Sequence, residues 1–128
     1  MLVQVITYKE DMTRKIPTIT AEELQELMDN WPDLLVINVL DQKAFNNCHI
    51  RGSVNISLDQ LQERVKDFDQ AREIIVYCAN YECSASDQAY KILNKMGFVR
   101  VKVYKGGTKE WLDLGLPTHG SCKATLKK

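Results

Sequence analysis

Apolar and polar positions change period several times along the chain, and the changes mark out its elements. Ile74-Ile75-Val76-Tyr77 is a short run of β-branched and aromatic residues, the pattern of a strand covered on both faces. From Ala85 onward, Ala89, Ile92, Leu93 and Met96 follow at i+4, i+7, i+8 and i+11, one stripe of a helix, and Gly97 is its stop signal. Between strand and helix lies Cys78-Ala79-Asn80-Tyr81-Glu82-Cys83-Ser84, a loop running from a strand's carboxyl end to a helix N-terminus.

The same alternation of short strands and amphipathic helices fills the rest of the chain. Leu2 to Tyr8 predicts a strand and Lys9 to Lys15 a polar linker. Pro17-Thr18-Ile19 is extended, and Thr20 with Glu23 forms a capping box for a helix carrying Leu24, Leu27 and Met28. Leu34 to Leu40 reads as a buried strand, and Asp41 caps a short helix with Ala44 and Phe45. Cys48 to Ser53 is a turn and Val54 to Ile56 a brief strand. Ser57 and Gln60 predict a second capping box, opening a helix with Leu58, Leu61 and Val65. Val101 to Tyr104 is the last long strand. Lys105-Gly106-Gly107 then turns, with a glycine at φ > 0, into a helix capped by Thr108 and carrying Trp111, Leu112 and Leu114.

Strands alternating with helices predict an α/β domain, a parallel twisted sheet of about five strands with helices on both faces. Residues 1–16 are an N-terminal extension, 17–120 the domain and 121–128 a flexible basic tail, in which Cys122 is incidental. In such sheets the site lies beyond the strands' carboxyl ends. Cys78, Asp41 and the pair Gly106-Gly107 are all placed there. At Cys78, unpaired backbone N–H groups and the following helix dipole favour thiolate over thiol, which makes it a candidate nucleophile.

Composition narrows the partners. The 128 residues include 17 basic and 17 acidic ones, a balance that gives no support to nucleic-acid or anionic-membrane binding. No run approaches the ~20 apolar residues of a membrane helix, and the first residues lack a signal-peptide pattern, so a cytoplasmic location is expected. In that reducing compartment Cys48, Cys78, Cys83 and Cys122 read as free, catalytic or redox-active thiols rather than a structural framework. Their spacing with His49 and His119 is not that of a zinc site, so no metal is expected.

Four landmarks in order carry a family likeness. These are Thr20-Ala21-Glu22-Glu23-Leu24, the segment Cys48-His49-Ile50-Arg51-Gly52-Ser53-Val54-Asn55-Ile56, the strand end Val76-Tyr77-Cys78, and Gly106-Gly107-Thr108-Lys109-Glu110-Trp111 with Gly115-Leu116-Pro117. Together they resemble a rhodanese domain from Thr18 to Gly120. The resemblance implies that Cys78 attacks a sulfane sulfur donor, becomes a persulfide and passes the sulfur to a thiol or protein acceptor, with no cofactor. It also implies that backbone N–H groups of the loop hold the outer sulfur's charge, by the logic of an oxyanion hole.

The departures from the family pattern are specific. Where many active members place an arginine five residues after the cysteine, this chain has Cys83, and Glu82 adds a negative charge. A dianionic donor such as thiosulfate is therefore poorly served, with Lys102, Lys105 or Arg100 the nearby cations. The usual Asp-Val-Arg reads Asn38-Val39-Leu40, so the polar scaffold looks replaced as a set. Cys48 stands for a glycine and Arg51 for a proline.

Cys83 has two readings: a resolving thiol that forms a disulfide with Cys78, or a small residue filling the space arginine vacated. Tyr81 is either a substrate-side wall or an exposed aromatic. Asn80 is expected to supply φ > 0, Ser84 to cap the helix with its hydroxyl or else donate to the Cys78 sulfur, and His49 and Trp111 to be structural. Ser86 is the weaker candidate for contact with the Cys78 sulfur. The leading function is a sulfurtransferase or persulfide carrier. The alternatives are a non-catalytic binding module or a Cys78/Cys83 redox switch. A phosphatase on a related scaffold is disfavoured, because Ser84 stands where Cys-x5-Arg chemistry needs arginine.

Overall fold

A computed structural model describes residues 16–123. The strand expected over Leu2 to Tyr8 lies outside them. The elements are α1 (Ala21–Asn30), β1 (Leu35–Asn38), α2 (Gln42–Asn47), β2 (His49–Ile50), β3 (Val54–Asn55), α3 (Leu58–Val65), β4 (Ile74–Tyr77), α4 (Ala85–Lys95), β5 (Val101–Tyr104), α5 (Gly107–Asp113) and β6 (Thr118–His119). β3, β1, β4 and β5 form a parallel sheet in that order, and an isolated parallel bridge from Thr18 to Val103 continues it past β5. β2 and β6 pair antiparallel as a separate ribbon.

Strand alternation divides the core in two. Ile74, Val76 and Cys78 face one way, toward Leu61 and Val65 of α3 and Ala89 and Leu93 of α4. Ile75 and Tyr77 face the other, toward Leu24 of α1, Ile50 of β2 and Trp111 of α5. All four residues of β4 are fully buried, as a central strand covered on both faces requires. Tyr77 brings a hydroxyl into this core. It accepts from the Ile50 N–H at 3.0 Å and pairs with Ser53 Oγ at 2.7 Å, and burial pushes its ionisation up.

Most local signals hold. Thr20 and Glu23 make the expected capping box, Asp41 Oδ1 accepts from Ala44 N at 2.8 Å, and Gly97 closes α4 at φ +100°. Others do not. The Ser57 hydroxyl bonds to Asp59 Oδ1 at 2.6 Å instead of capping α3. Thr108 lies inside α5, not before it, because Gly107 at φ +66° already begins the helix.

The largest correction concerns Cys122. It is buried rather than incidental, and it forms a disulfide with Cys48 across a separation of 74 residues. Its N–H also donates to Asn47 O at 2.7 Å, so residues 118–122 are stitched to the end of α2. The chain contact is so close at Gly120 that a Cβ there would sit 2.3 Å from Asn47 O. Two of the four cysteines are therefore a structural pair. Spacing concealed this, since the fold alone brings positions 48 and 122 together.

Closing a loop of this length constrains the unfolded chain strongly, so Cys48→Ser/Cys122→Ser is expected to lose about 3–5 kcal/mol of stability. Denaturant titration with and without a dithiol reductant measures it. Wild type and double variant should coincide once the reductant is present.

Candidate active site

The loop that follows β4 is fixed from below by α5. Thr108 N donates to Cys78 O at 3.0 Å and Lys109 N to Ala79 O at 2.9 Å, so two free N–H groups of the first turn of α5 meet the first two loop carbonyls. The approach leaves no room for a side chain, because a Cβ on Gly107 would lie 2.5 Å from Cys78 O. The glycine pair is thus the seat of the loop.

From the other side, Asn80 ties the loop to itself. Its Oδ1 accepts from Glu82 N at 3.0 Å and Cys83 N at 3.1 Å. Asn80 does not take the positive φ expected of it; its side chain builds the turn. This consumes two N–H groups that the resemblance assigned to holding sulfur. Tyr81 at the tip is 61% exposed, with its hydroxyl 3.3 Å from Glu110 Oε2. Tyr104 donates to the other oxygen of that carboxylate at 2.7 Å, so Glu110 joins loop tip to β5. Burial, and then Glu110, hold the Tyr104 hydroxyl protonated far above the usual range.

Cys78 is 1% exposed. Its Sγ lies 3.4 Å from Ser86 Oγ and 3.5 Å from Cys83 O. Burial pushes this thiol up, and its hydrogen bond to the Cys83 thiol pushes the same way, against the hydroxyl and N–H of Ser86. A carbonyl oxygen beside the sulfur also favours S–H over S⁻. Position at a helix N-terminus therefore does not make Cys78 acidic, contrary to the expectation from sequence. Ser86, ranked below Ser84, is the residue that meets the sulfur. Ser84 instead receives a bond from Gln88 Nε2 at 3.1 Å and makes no side-chain cap. A signal for Ser86 existed: with Ala89 and Leu93 it forms the buried i, i+3, i+7 face of α4.

Cys83 is only partly buried. That burial alone would push it up. It is outweighed by the hydrogen bond from Cys78, by the N–H groups of Ala79 and Ala85, and by the Lys105 charge, which together bring the Cys83 thiol down. Lys105 is held in place by Asp87 at 3.2 Å. Of the three cations named from sequence, it alone reaches the loop. Lys102 and Arg100 instead line a shallow cleft with Glu73 and Val99, at the amino end of β4 and β5.

A cavity of about 600 Å³ opens beside the loop. Asp41, Lys43 and Asn47 wall one side, and Ala79, Asn80 and Lys109 the other. Cys78 does not line it. At the end of β1, Asn38 replaces the family's aspartate with a neutral amide whose Oδ1 accepts from Leu40 N at 2.9 Å. Its Nδ2 is buried without a partner among the described residues. Asn55 Nδ2 donates to the neighbouring carbonyls of Asn38 and Leu40 at 3.1 and 2.8 Å. His49 is structural, its Nδ1 2.7 Å from Phe45 O, and Trp111 is core. Among the described residues no cluster of three His, Cys, Asp or Glu side chains is arranged to hold a metal. No helix there is long and apolar enough to cross a membrane.

A parallel sheet with helices on both faces, and a cysteine loop at its carboxyl edge seated on a Gly-Gly turn, defines a class of α/β domain. Residues 20–114 match the rhodanese-like domain, and the chain belongs to that family. The thiosulfate sulfurtransferase GlpE of Coxiella burnetii is 29% identical over 100 residues, which cover 78% of this chain and 88% of that one. YrkF of Bacillus subtilis, whose name designates a candidate sulfur carrier, is 24% identical over 81% of this chain; the match spans 55% of its length, about half. The solution structure of the rhodanese-like domain of Alr3790 from Anabaena superposes with a TM-score of 0.73 at 30% identity, covering 83% of this chain and 80% of that one. At family level this is a sulfur-transfer domain.

The Ser86 hydroxyl, 3.4 Å from the Cys78 sulfur, donates more strongly to a thiolate than to a thiol. Ser86→Ala is therefore expected to push the Cys78 thiol further up, and Ser86→Thr to restore it. The pH profile of Cys78 alkylation, followed in a Cys83→Ser background, reads this directly. An unmoved profile would show that the hydroxyl contributes nothing to the sulfur.

Proposed function

We propose that the protein is a persulfide carrier, in which Cys78 holds a sulfane sulfur taken from a small donor and yields it to a thiol or protein acceptor. The observation that supports this most is the enclosure of Cys78. A sulfur stored under the loop, beside the Ser86 hydroxyl and away from the open cavity, is shielded from adventitious thiols. The chemistry needs no organic cofactor. Uptake is attack of a thiolate on the outer sulfur of the donor, with the donor's remaining group leaving as an anion. The names of GlpE and YrkF point the same way.

Thiosulfate is a poor fit as donor. The loop lacks arginine's planar fork for a dianion, Glu82 faces the same solvent, and Lys105 is partly neutralised by Asp87. A redox-switch reading has one observation in its favour, the Cys78 sulfur lying 3.5 Å from the Cys83 carbonyl oxygen. It calls for a Cys78–Cys83 disulfide under mild oxidant.

Intact-protein mass spectrometry after donor removal separates these readings. Wild type treated with glutathione persulfide should retain one extra sulfur, located on the Cys78 peptide, and Cys78→Ser should retain none. Thiosulfate should load the protein more slowly by about tenfold or more. Folded wild type that retains no sulfur from either donor would refute the carrier reading, and loss of two hydrogens instead would establish the switch.

A further inference from the structure

We infer that Cys83 is the entry thiol: it meets the sulfur donor first and relays the sulfur inward to Cys78. The two sulfurs differ in access. Cys78 lies 1% exposed beneath the loop, while Cys83 is partly open to solvent. They differ equally in what surrounds them. Lys105, anchored by Asp87, and the Ala79 and Ala85 N–H groups favour thiolate at Cys83. Cys78 instead faces a carbonyl oxygen, that of Cys83, at 3.5 Å. The more accessible of the two sulfurs is thus also the one biased toward thiolate. Burial agrees, and the Cys78 S–H has the Cys83 carbonyl as an acceptor.

The steps balance without an added oxidant or reductant. The Cys83 thiolate attacks the outer sulfur of a persulfide donor, R–S–SH, forming Cys83–S–SH and releasing R–S⁻. The bond broken is the donor's S–S bond. The Cys78 thiol, hydrogen-bonded to its neighbour, then loses its proton to the released thiolate and attacks the outer sulfur of Cys83. Cys78–S–SH forms and the Cys83 thiolate is regenerated. Attack on the inner sulfur instead would give the Cys78–Cys83 disulfide and hydrosulfide, so the relay and the switch share one intermediate. The arrangement also accounts for the missing arginine. The sulfur that meets the donor has moved five residues along the loop, to the place that side chain would occupy, and Lys105 with two N–H groups supplies the positive field there.

The inference rests on the carrier reading for its second step only, and two measurements separate them. Limited alkylation with iodoacetamide at rising pH, read by peptide mapping, should label Cys83 first and Cys78 only at higher pH. The charged groups facing this pair are Lys105, Asp87 and Glu82. Rapid-quench loading with glutathione persulfide should then show Cys78→Ser acquiring sulfur on Cys83 while donor is present. Cys83→Ser and Cys83→Ala, both checked for native circular dichroism, should load Cys78 at least about tenfold more slowly than wild type. Labelling of Cys78 first, or loading of Cys78 at the wild-type rate in both Cys83 variants, would overturn the entry role and leave the carrier reading standing. Capture on Cys83 without later retention on Cys78 would do the reverse.

Discussion

The site depends on two backbone hydrogen bonds, from Thr108 N to Cys78 O and from Lys109 N to Ala79 O. They join β4 to the first turn of α5 through a contact that admits no Cβ at Gly107. Each bond serves both partners, since a helix start has N–H groups to place and a loop leaving a strand has carbonyls to place. Turning those carbonyls toward α5 fixes the peptide planes at the start of the loop. The Ala79 N–H is thereby left on the side where the Cys83 sulfur lies. The glycine pair therefore acts on the chemistry through the backbone, without contributing a side chain.

With its base fixed, the loop distributes a limited supply of hydrogen-bond donors. Asn80 takes Glu82 N and Cys83 N to make the turn, and what remains goes mostly to Cys83. Cys78 receives the hydroxyl and N–H of Ser86, opposed by burial and by the Cys83 carbonyl. The outcome is one rim thiol drawn down and one enclosed thiol pushed up. That difference is what a stepwise transfer needs, because a thiolate captures sulfur and a sheltered thiol keeps it. Asn38 and Asn55 are neutral, so the end of β1 carries no buried charge to desolvate, and Asn38 Nδ2 alone is left without a partner among the described residues.

Much of this was legible in the chain before any coordinates. The all-apolar Ile74–Tyr77 run, the helical stripe after it and the Gly-Gly turn were enough to put Cys78 at a sheet's carboxyl edge. The loop's length was legible too. What escaped was set by tertiary contact. Ser86 was not read as part of the helical stripe, although it shares the buried face of α4 with Ala89 and Leu93, and no local pattern tells that β4 aims a sulfur at it. Asn80 has the composition of a positive-φ residue, yet its side chain served the turn better than its backbone. Ser57 and Ser84 have capping sequences, but nearby Asp59 and Gln88 claimed their hydroxyls. The Cys48–Cys122 disulfide depends on the β2–β6 ribbon, a pairing of two-residue strands too short to leave a pattern.

The central claim is that the loop reverses the acidity expected of its two thiols, and nuclear magnetic resonance titration of the cysteine Cβ resonances tests it most directly. In protein labelled at cysteine, with the Cys48–Cys122 disulfide intact, Cys83 should titrate below the ordinary thiol range and Cys78 above it. Titration of Cys78 below Cys83 would contradict the account, since the enclosed sulfur at the strand end would then be the acidic one after all.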